Sequence, residues 1–248
     1  MSFTSILFTV FFYLAASLCV VGVTIKVIQY SRTPVPLKIP TAPAPLSRFG
    51  AVLRMLREVF LFTSLFRASK WTWLFGWLFH WALVMLFIRH LPYFWPGETP
   101  DFLMRVEPLK YAAFPLVFGL TGLLVRRFTV DRVRYISAPS DYLLLLLLIA
   151  IALTGALMTF AHYYPDMGKV YSFGEGLLTL NWSELPSEGI FLLHIFMVFV
   201  LIAIFPVSKM LHAPGVFFSP TLNQTDNARK KRHISSWALD KEKDGKSG

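Results

Sequence analysis

Five stretches of this chain run for about the thickness of a bilayer without a single Lys, Arg, Asp or Glu. They are residues 3–25, 71–88, 111–125, 142–162 and 189–208. A hydrocarbon core needs about 20 apolar residues in helical form, so these runs predict an all-α integral membrane protein with five transmembrane helices. The third run is short, but Lys110 and Arg126 bracket it and can extend their charged ends to the two interfaces. Composition agrees, since 55% of the 248 residues are hydrophobic and only 15% are charged.

The first run lacks the basic leader of a secretion signal, and its first charge, Lys26, follows the apolar segment, which reads as a retained helix. The bulky Leu18 before Cys19 argues against lipoprotein cleavage there. A single cysteine excludes an internal disulfide and a four-cysteine iron–sulfur cluster held by this chain alone. Twenty Lys and Arg fall on one side of the five runs, in 26–70, 126–141 and the tail after 208. Four fall on the other, Arg89, Arg105, Lys110 and Lys169. The asymmetry predicts an N-terminus outside and a cytoplasmic C-terminus. It also accounts for most of the net charge of +10 without nucleic acid as a partner.

Residues 1–213 read as the membrane domain, with 31–70 as a cytoplasmic connector and 214–248 as a basic cytoplasmic tail. The connector begins Pro-rich and extended, then becomes "LSRFGAVLRMLREVFLFTSLFRASK". There Arg48, Arg54, Arg57 and Arg67 alternate with apolar residues at helical spacing, which predicts an amphipathic helix on the inner membrane face or a docking surface for a partner. Pro92, Pro96 and Pro100 with Tyr93, Phe94 and Trp95 predict a turn at the outer headgroups. The second outer segment, 163–188, reads as an acidic, Gly-containing loop, and "DKEKDGKSG" at the end of the tail has the composition of a disordered segment.

Against this apolar background the histidines stand out. His80 and His90 lie ten residues apart at the second run, and His194 and His212 lie eighteen apart at the fifth. On a straight helix eighteen residues make five turns, about 27 Å, so His194 and His212 would face one way. Ten residues make about 15 Å and leave about 80° between His80 and His90. The two runs are antiparallel, which brings His90 and His194 to like depth near the outer face. His80 and His212 differ by roughly 16 Å on straight helices, a gap that a bend at Pro206 would narrow. Facing imidazoles can hold a haem iron from both sides, closing its coordination and suiting it to electron transfer. A lone intramembrane histidine is more often an interhelical hydrogen-bonding group. His162, at the outer boundary, and His233, after Lys230, Lys231 and Arg232, read as interfacial or solvated.

Five spans with histidines so spaced resemble the gamma, cytochrome b subunit of respiratory nitrate reductase and its relatives. The tail "SKMLHAPGVFFSPTLNQTDNARKKRH" resembles the DsrM branch, the membrane cytochromes of the complex linked to dissimilatory sulfite reductase. The resemblance implies two haem b groups, one between His90 and His194 and one between His80 and His212. It implies a quinone, menaquinone or ubiquinone, beside the outer haem. There Lys110, at the start of the third span, would meet it with Arg89 and His90, and Arg89 stands where the nitrate reductase subunit has a small residue. Arg89 could instead pair with Glu107 or a haem propionate, and Lys209, Arg126 and Arg127 with propionates of the inner haem. Implied partners are a heterodisulfide-reductase-like cytoplasmic iron–sulfur subunit, a periplasmic multihaem cytochrome c, a periplasmic iron–sulfur subunit and a second membrane subunit. The implied setting is a bacterial or archaeal cytoplasmic membrane. Two rival readings are a transporter or proton channel with a histidine relay, and a haem-free membrane anchor. The first meets no inverted repeat and no mid-membrane acid in this sequence.

Overall fold

The computed structural model describes residues 1–34, 40–95, 105, 107–227 and 240–241, and these are predominantly helical, with no strand among them. His233, its cationic neighbours and Pro96 and Pro100 lie outside the described residues. The helices are α1 (Phe3–Arg32), α2 (Arg48–Leu61), α3 (Thr63–Ala68), α4 (Lys70–His90), α5 (Ala113–Thr129), α6 (Asp131–Tyr135), α7 (Pro139–Phe160), α8 (Met167–Thr179) and α9 (Gly189–Ile204). Tight 3₁₀ turns extend α4 through Phe94, lead into α5 from Glu107 and extend α9 through Val207. With these turns, five helices are long and apolar enough to cross a membrane, one for each uncharged run. The chain divides into two compact units, Met1–Gly22 with Leu65–Lys209, and Val23–Ser64 with Met210–Gly248.

In the first unit, α4, α5 and α7 meet through Ala82, Ala112, Leu116, Leu120, Leu145 and Ala152, a core in which small residues let backbones approach. Gly119 marks a close crossing of α4 and α5, where a Cβ would stand 2.8 Å from the carbonyl oxygen of Phe75. Large apolar side chains such as Phe87, Phe118 and Leu143 are exposed outside this core, as befits faces turned to lipid.

The segment expected to be an acidic loop is instead built around a helix. Asp166 caps α8, accepting the Lys169 backbone N–H at 3.3 Å. The helix buries Val170, Phe173 and Leu177 against Phe191 and the α1 residues Phe8 and Phe12. Tyr13 donates to the Leu177 carbonyl at 2.8 Å, and the buried Ser5 hydroxyl accepts the Leu185 N–H at 3.0 Å. These bonds fasten α1 to the cap. The fifth span changes course where Pro206 was expected to bend it: α9 stops at Ile204, so His194 and His212 do not share one straight helix. Pro206 supplies no backbone donor, and Ser208 is extended.

In the second unit, the expected amphipathic helix breaks at Phe62, which adopts a left-handed conformation (φ 50°) and donates its N–H to the Glu58 carbonyl at 3.2 Å. The Glu58 carboxylate then caps the next turn, accepting from Thr63 Oγ1 at 2.5 Å, Ser64 Oγ at 2.8 Å and Ser64 N at 3.0 Å. On α2, Phe49, Val52, Leu56 and Phe60 form an exposed apolar stripe, while Ala51 and Met55 are buried. Residues 211–227 run in short turns and return to residues 41–45. Thr41 N donates to Thr221 O at 3.0 Å and Asp226 N to Pro45 O at 2.9 Å.

Partial burial alone would raise the Glu58 carboxyl, but the bonds from Thr63 and Ser64, with Arg54 nearby, hold it below the ordinary value. A depressed carboxyl stabilises the fold above its unfolded pKa, and that contribution is lost as pH falls through the folded value. Glu58→Gln is therefore expected to raise amide exchange at Ser64 about fivefold at neutral pH, on the order of 1 kcal/mol. The wild type should approach the variant on acidification, and pH-dependent hydrogen exchange checks both.

Candidate functional site

The end of the first unit where α4 stops brings three residues singled out in the sequence, His90, His194 and Lys110, onto defined elements. His90 ends α4, and its Nδ1 donates to the Leu86 carbonyl at 2.6 Å, one turn back. His80, on the same helix, makes the same bond to Gly76 O at 2.7 Å. A carbonyl only accepts, so the proton of each ring sits on Nδ1, and Nε2 carries the lone pair. Phe79 lies edge-on to the His80 ring at 4.4 Å.

His194, in the second turn of α9, reaches the same tautomer by another route. Its Nδ1–H donates at 2.9 Å to Thr154 Oγ1 on α7 with the Ile151 carbonyl also in reach, and the Thr154 proton is shared between Ala150 O (2.9 Å) and Ile151 O (3.0 Å). Because the hydroxyl proton is engaged by the helix, the oxygen receives the imidazole proton. Gly155 gives the ring its place, since a Cβ there would lie 3.3 Å from His194 Cε1. His90 lies within electrostatic reach of His194. Both rings are half-buried.

The cap helix closes over this end. Tyr93 stands perpendicular to His90 at 5.6 Å between ring centroids and meets Tyr171 of α8 at 5.3 Å. Where α8 crosses, a Cβ on Gly174 would be 2.0 Å from the Tyr93 carbonyl oxygen, so only glycine permits the contact. Lys110 sits in the turn before α5, ion-paired to Glu107, with its ammonium 5.5 Å from the Tyr111 ring centre. Glu107 thus pairs with Lys110 rather than with Arg89, which is half-buried at the end of α4. An apolar groove of about 330 Å³, lined by Trp77, Leu78, Trp81, Ala82, Met85 and Pro115, runs between α4 and the start of α5.

At the other end of this unit, Asp141 is 3% exposed and accepts from Lys209 Nζ at 2.5 Å, Arg127 Nη1 at 3.4 Å and Ala138 N at 3.0 Å. Arg127 also donates to Ser137 Oγ at 2.7 Å. Two of the three cations considered for propionates are thus engaged by one carboxylate, and Arg126 borders a separate groove with Trp71 and Phe118. Asp141 was legible as an acid standing just before the Leu143–Leu148 run, and Thr154 and Gly155 as a polar, small pair inside the uncharged run 142–162.

Two further histidines lie on other elements. His212, in the second unit, opens a short exposed helix, His212–Gly215. His162 is exposed, with a left-handed backbone (φ 60°) and its ring edge-on to Tyr164. Among the described residues no group of three or more His, Cys, Asp or Glu is arranged around a bare metal ion.

Residues 48–225 match the family model of the nitrate reductase gamma subunit. The Hdr-like menaquinol oxidoreductase cytochrome b-like subunit of Archaeoglobus profundus is 32% identical over a 275-residue alignment, covering 91% of this chain and 80% of the relative. The protein of the same description from Archaeoglobus fulgidus is 32% identical over 272 residues, covering 91% and 81%. The family match spans well over half of a chain with five membrane-length helices, and the chain belongs to the nitrate reductase gamma subunit family, as a multi-pass membrane cytochrome b of electron transfer.

Proposed function

We propose that the chain is a di-haem cytochrome b that passes electrons between a membrane quinone near the outer face and an iron–sulfur subunit on the cytoplasmic face. The observation that carries this reading is the common tautomer of His80, His90 and His194, each with Nδ1–H donated and the lone pair on Nε2. That is the state an axial ligand must hold. The buried Trp77 indole N–H, three residues from His80, has no hydrogen-bond partner among the described residues. A buried donor needs an acceptor, and a porphyrin carboxylate is one. His90 with His194 would hold the outer haem, and His80 with His212 the inner.

Haem bound there would supply one-electron transfer. The protein's own groups would bind and orient the quinone. Lys110 Nζ–H would donate to a quinone oxygen, its partner Glu107 would accept the proton released there, and Arg89 and His90 would border the head group. The apolar groove between α4 and α5 suits the ring or tail of such a ligand, since quinone sites are apolar with few polar groups. The relatives' description supports menaquinol as the donor. With the basic side inward, quinol oxidation outside releases protons outside, and the inward electron step adds to the membrane potential.

The DsrM-like tail supports membership in a complex of dissimilatory sulfur metabolism in a bacterial or archaeal cytoplasmic membrane. Its cytoplasmic partner would be heterodisulfide-reductase-like, joined by a periplasmic multihaem cytochrome c, a periplasmic iron–sulfur subunit and a second membrane subunit. A reduced-minus-oxidised spectrum of protein expressed with ample haem tests the central reading. Two b haems per chain are expected, and none would overturn it. Lys110→Ala should slow haem reduction by a menaquinol analogue at least tenfold at unchanged haem content, as loss of a charge-assisted hydrogen bond implies. An unchanged rate would move the quinone elsewhere.

A further inference from the structure

His80 and His90 are oriented by carbonyls of their own helix, whereas the His194 ring is oriented by a neighbouring helix, between the Gly155 backbone and an acceptor pair made of the Thr154 hydroxyl and the Ile151 carbonyl, of which the hydroxyl is the side-chain member at 2.9 Å. The angle of this ring about the α9 axis is therefore set by α7. The Thr154 oxygen is also a particular acceptor. Its proton is drawn toward Ala150 O and Ile151 O, and that polarisation strengthens the lone pair offered to Nδ1–H. Pull on Nδ1–H raises the basicity of Nε2, and a more basic ligand favours ferric over ferrous iron.

We propose that Thr154 is a positioning residue for the outer haem, fixing the tautomer and ring plane of His194 and thereby holding the midpoint potential of that haem down. The inference rests on the haem reading above and adds to it a residue that touches neither iron nor quinone. It also gives the two haems separate controls. A change at position 154 acts on the ligand from α9 alone, because the His80 and His90 bonds lie within α4 and involve no side-chain acceptor.

The test is a redox titration with low-temperature electron paramagnetic resonance of the purified wild type, Thr154→Val and Thr154→Ser. Valine keeps the shape of threonine and removes the acceptor. It is expected to raise the midpoint of one haem and shift its ferric low-spin signal, or to release that haem, while the second haem keeps its wild-type midpoint and signal. Serine, which can make the same bonds, is expected to restore the wild-type values. Wild-type potentials and signals in the valine variant would overturn the proposal, as would equal shifts of both haems or a serine variant that behaves like valine. Absence of b haem from the wild type would sink the haem reading itself, so the two failures are distinguishable.

Discussion

His194→Ala is expected to leave the purified protein with about half of its b haem, and His90→Ala should do the same. On the di-haem reading proposed above, each of these rings would be one of two ligands to the same iron, and its loss would leave that haem weakly held. The two rings have different supports, which makes the pair of variants informative. His90 is held by Leu86 O within α4, and its removal strands only a carbonyl already bonded in the helix. His194 is held by Thr154 Oγ1, and its removal leaves that hydroxyl with its two backbone acceptors. Neither alanine strands a buried charge, so the fold should persist and the loss should be read as loss of haem. Pyridine haemochrome content and the reduced-minus-oxidised spectrum check this, with His162→Ala, at an exposed left-handed turn, as the silent control. Full haem content in either variant would remove that histidine from the outer pair.

The spans were legible because bilayer thickness and the absence of charge are properties of a run of residues, readable without neighbours. The cap helix α8 was not. Its 13 residues hold Gly168, Gly174 and Gly176, which read as loop-forming in sequence. In the fold, two of those glycines are required by contacts with Tyr93 and Asn181, distant or downstream partners that no periodicity reveals. The break between α2 and α3 is of the same kind. Apolar spacing runs on through Phe62, and what stops the helix is a carboxylate four residues earlier that bonds the next turn. At the site, residue type and spacing picked out the histidines, because imidazole is rare in lipid-facing runs. Their tautomers, and the part played by Thr154, depended on which acceptor each ring meets, which is a matter of packing between α7 and α9. Asp141 shows the reverse limit. Its charge was visible, but its pairing with both Arg127 and Lys209 follows from the ends of three elements converging.

Gly174→Val is expected to be strongly disruptive at the His90 end of the first unit while leaving every histidine in place. The Cβ alone would stand 2.0 Å from the carbonyl oxygen of Tyr93, far inside contact distance, and the obstacle is backbone rather than a flexible side-chain tip. Relief requires α8 to lift from the 91–94 turn. Overpacking of this kind costs about 3 kcal/mol, and the valine branches add to it. The displacement is felt at the site, because Tyr93 packs perpendicular to His90 and against Tyr171, and α8 shares its core with Phe191 at the start of α9. The thermal unfolding midpoint should fall by several degrees, and the signal of one haem should broaden or shift while the other is retained. Gly189→Ala is the matching control, since a Cβ there meets nothing within 4 Å. If Gly174→Val unfolds at the wild-type temperature, the contact between α8 and the 91–94 turn is looser than the structure has it, and the cap cannot be what holds Tyr93 against His90.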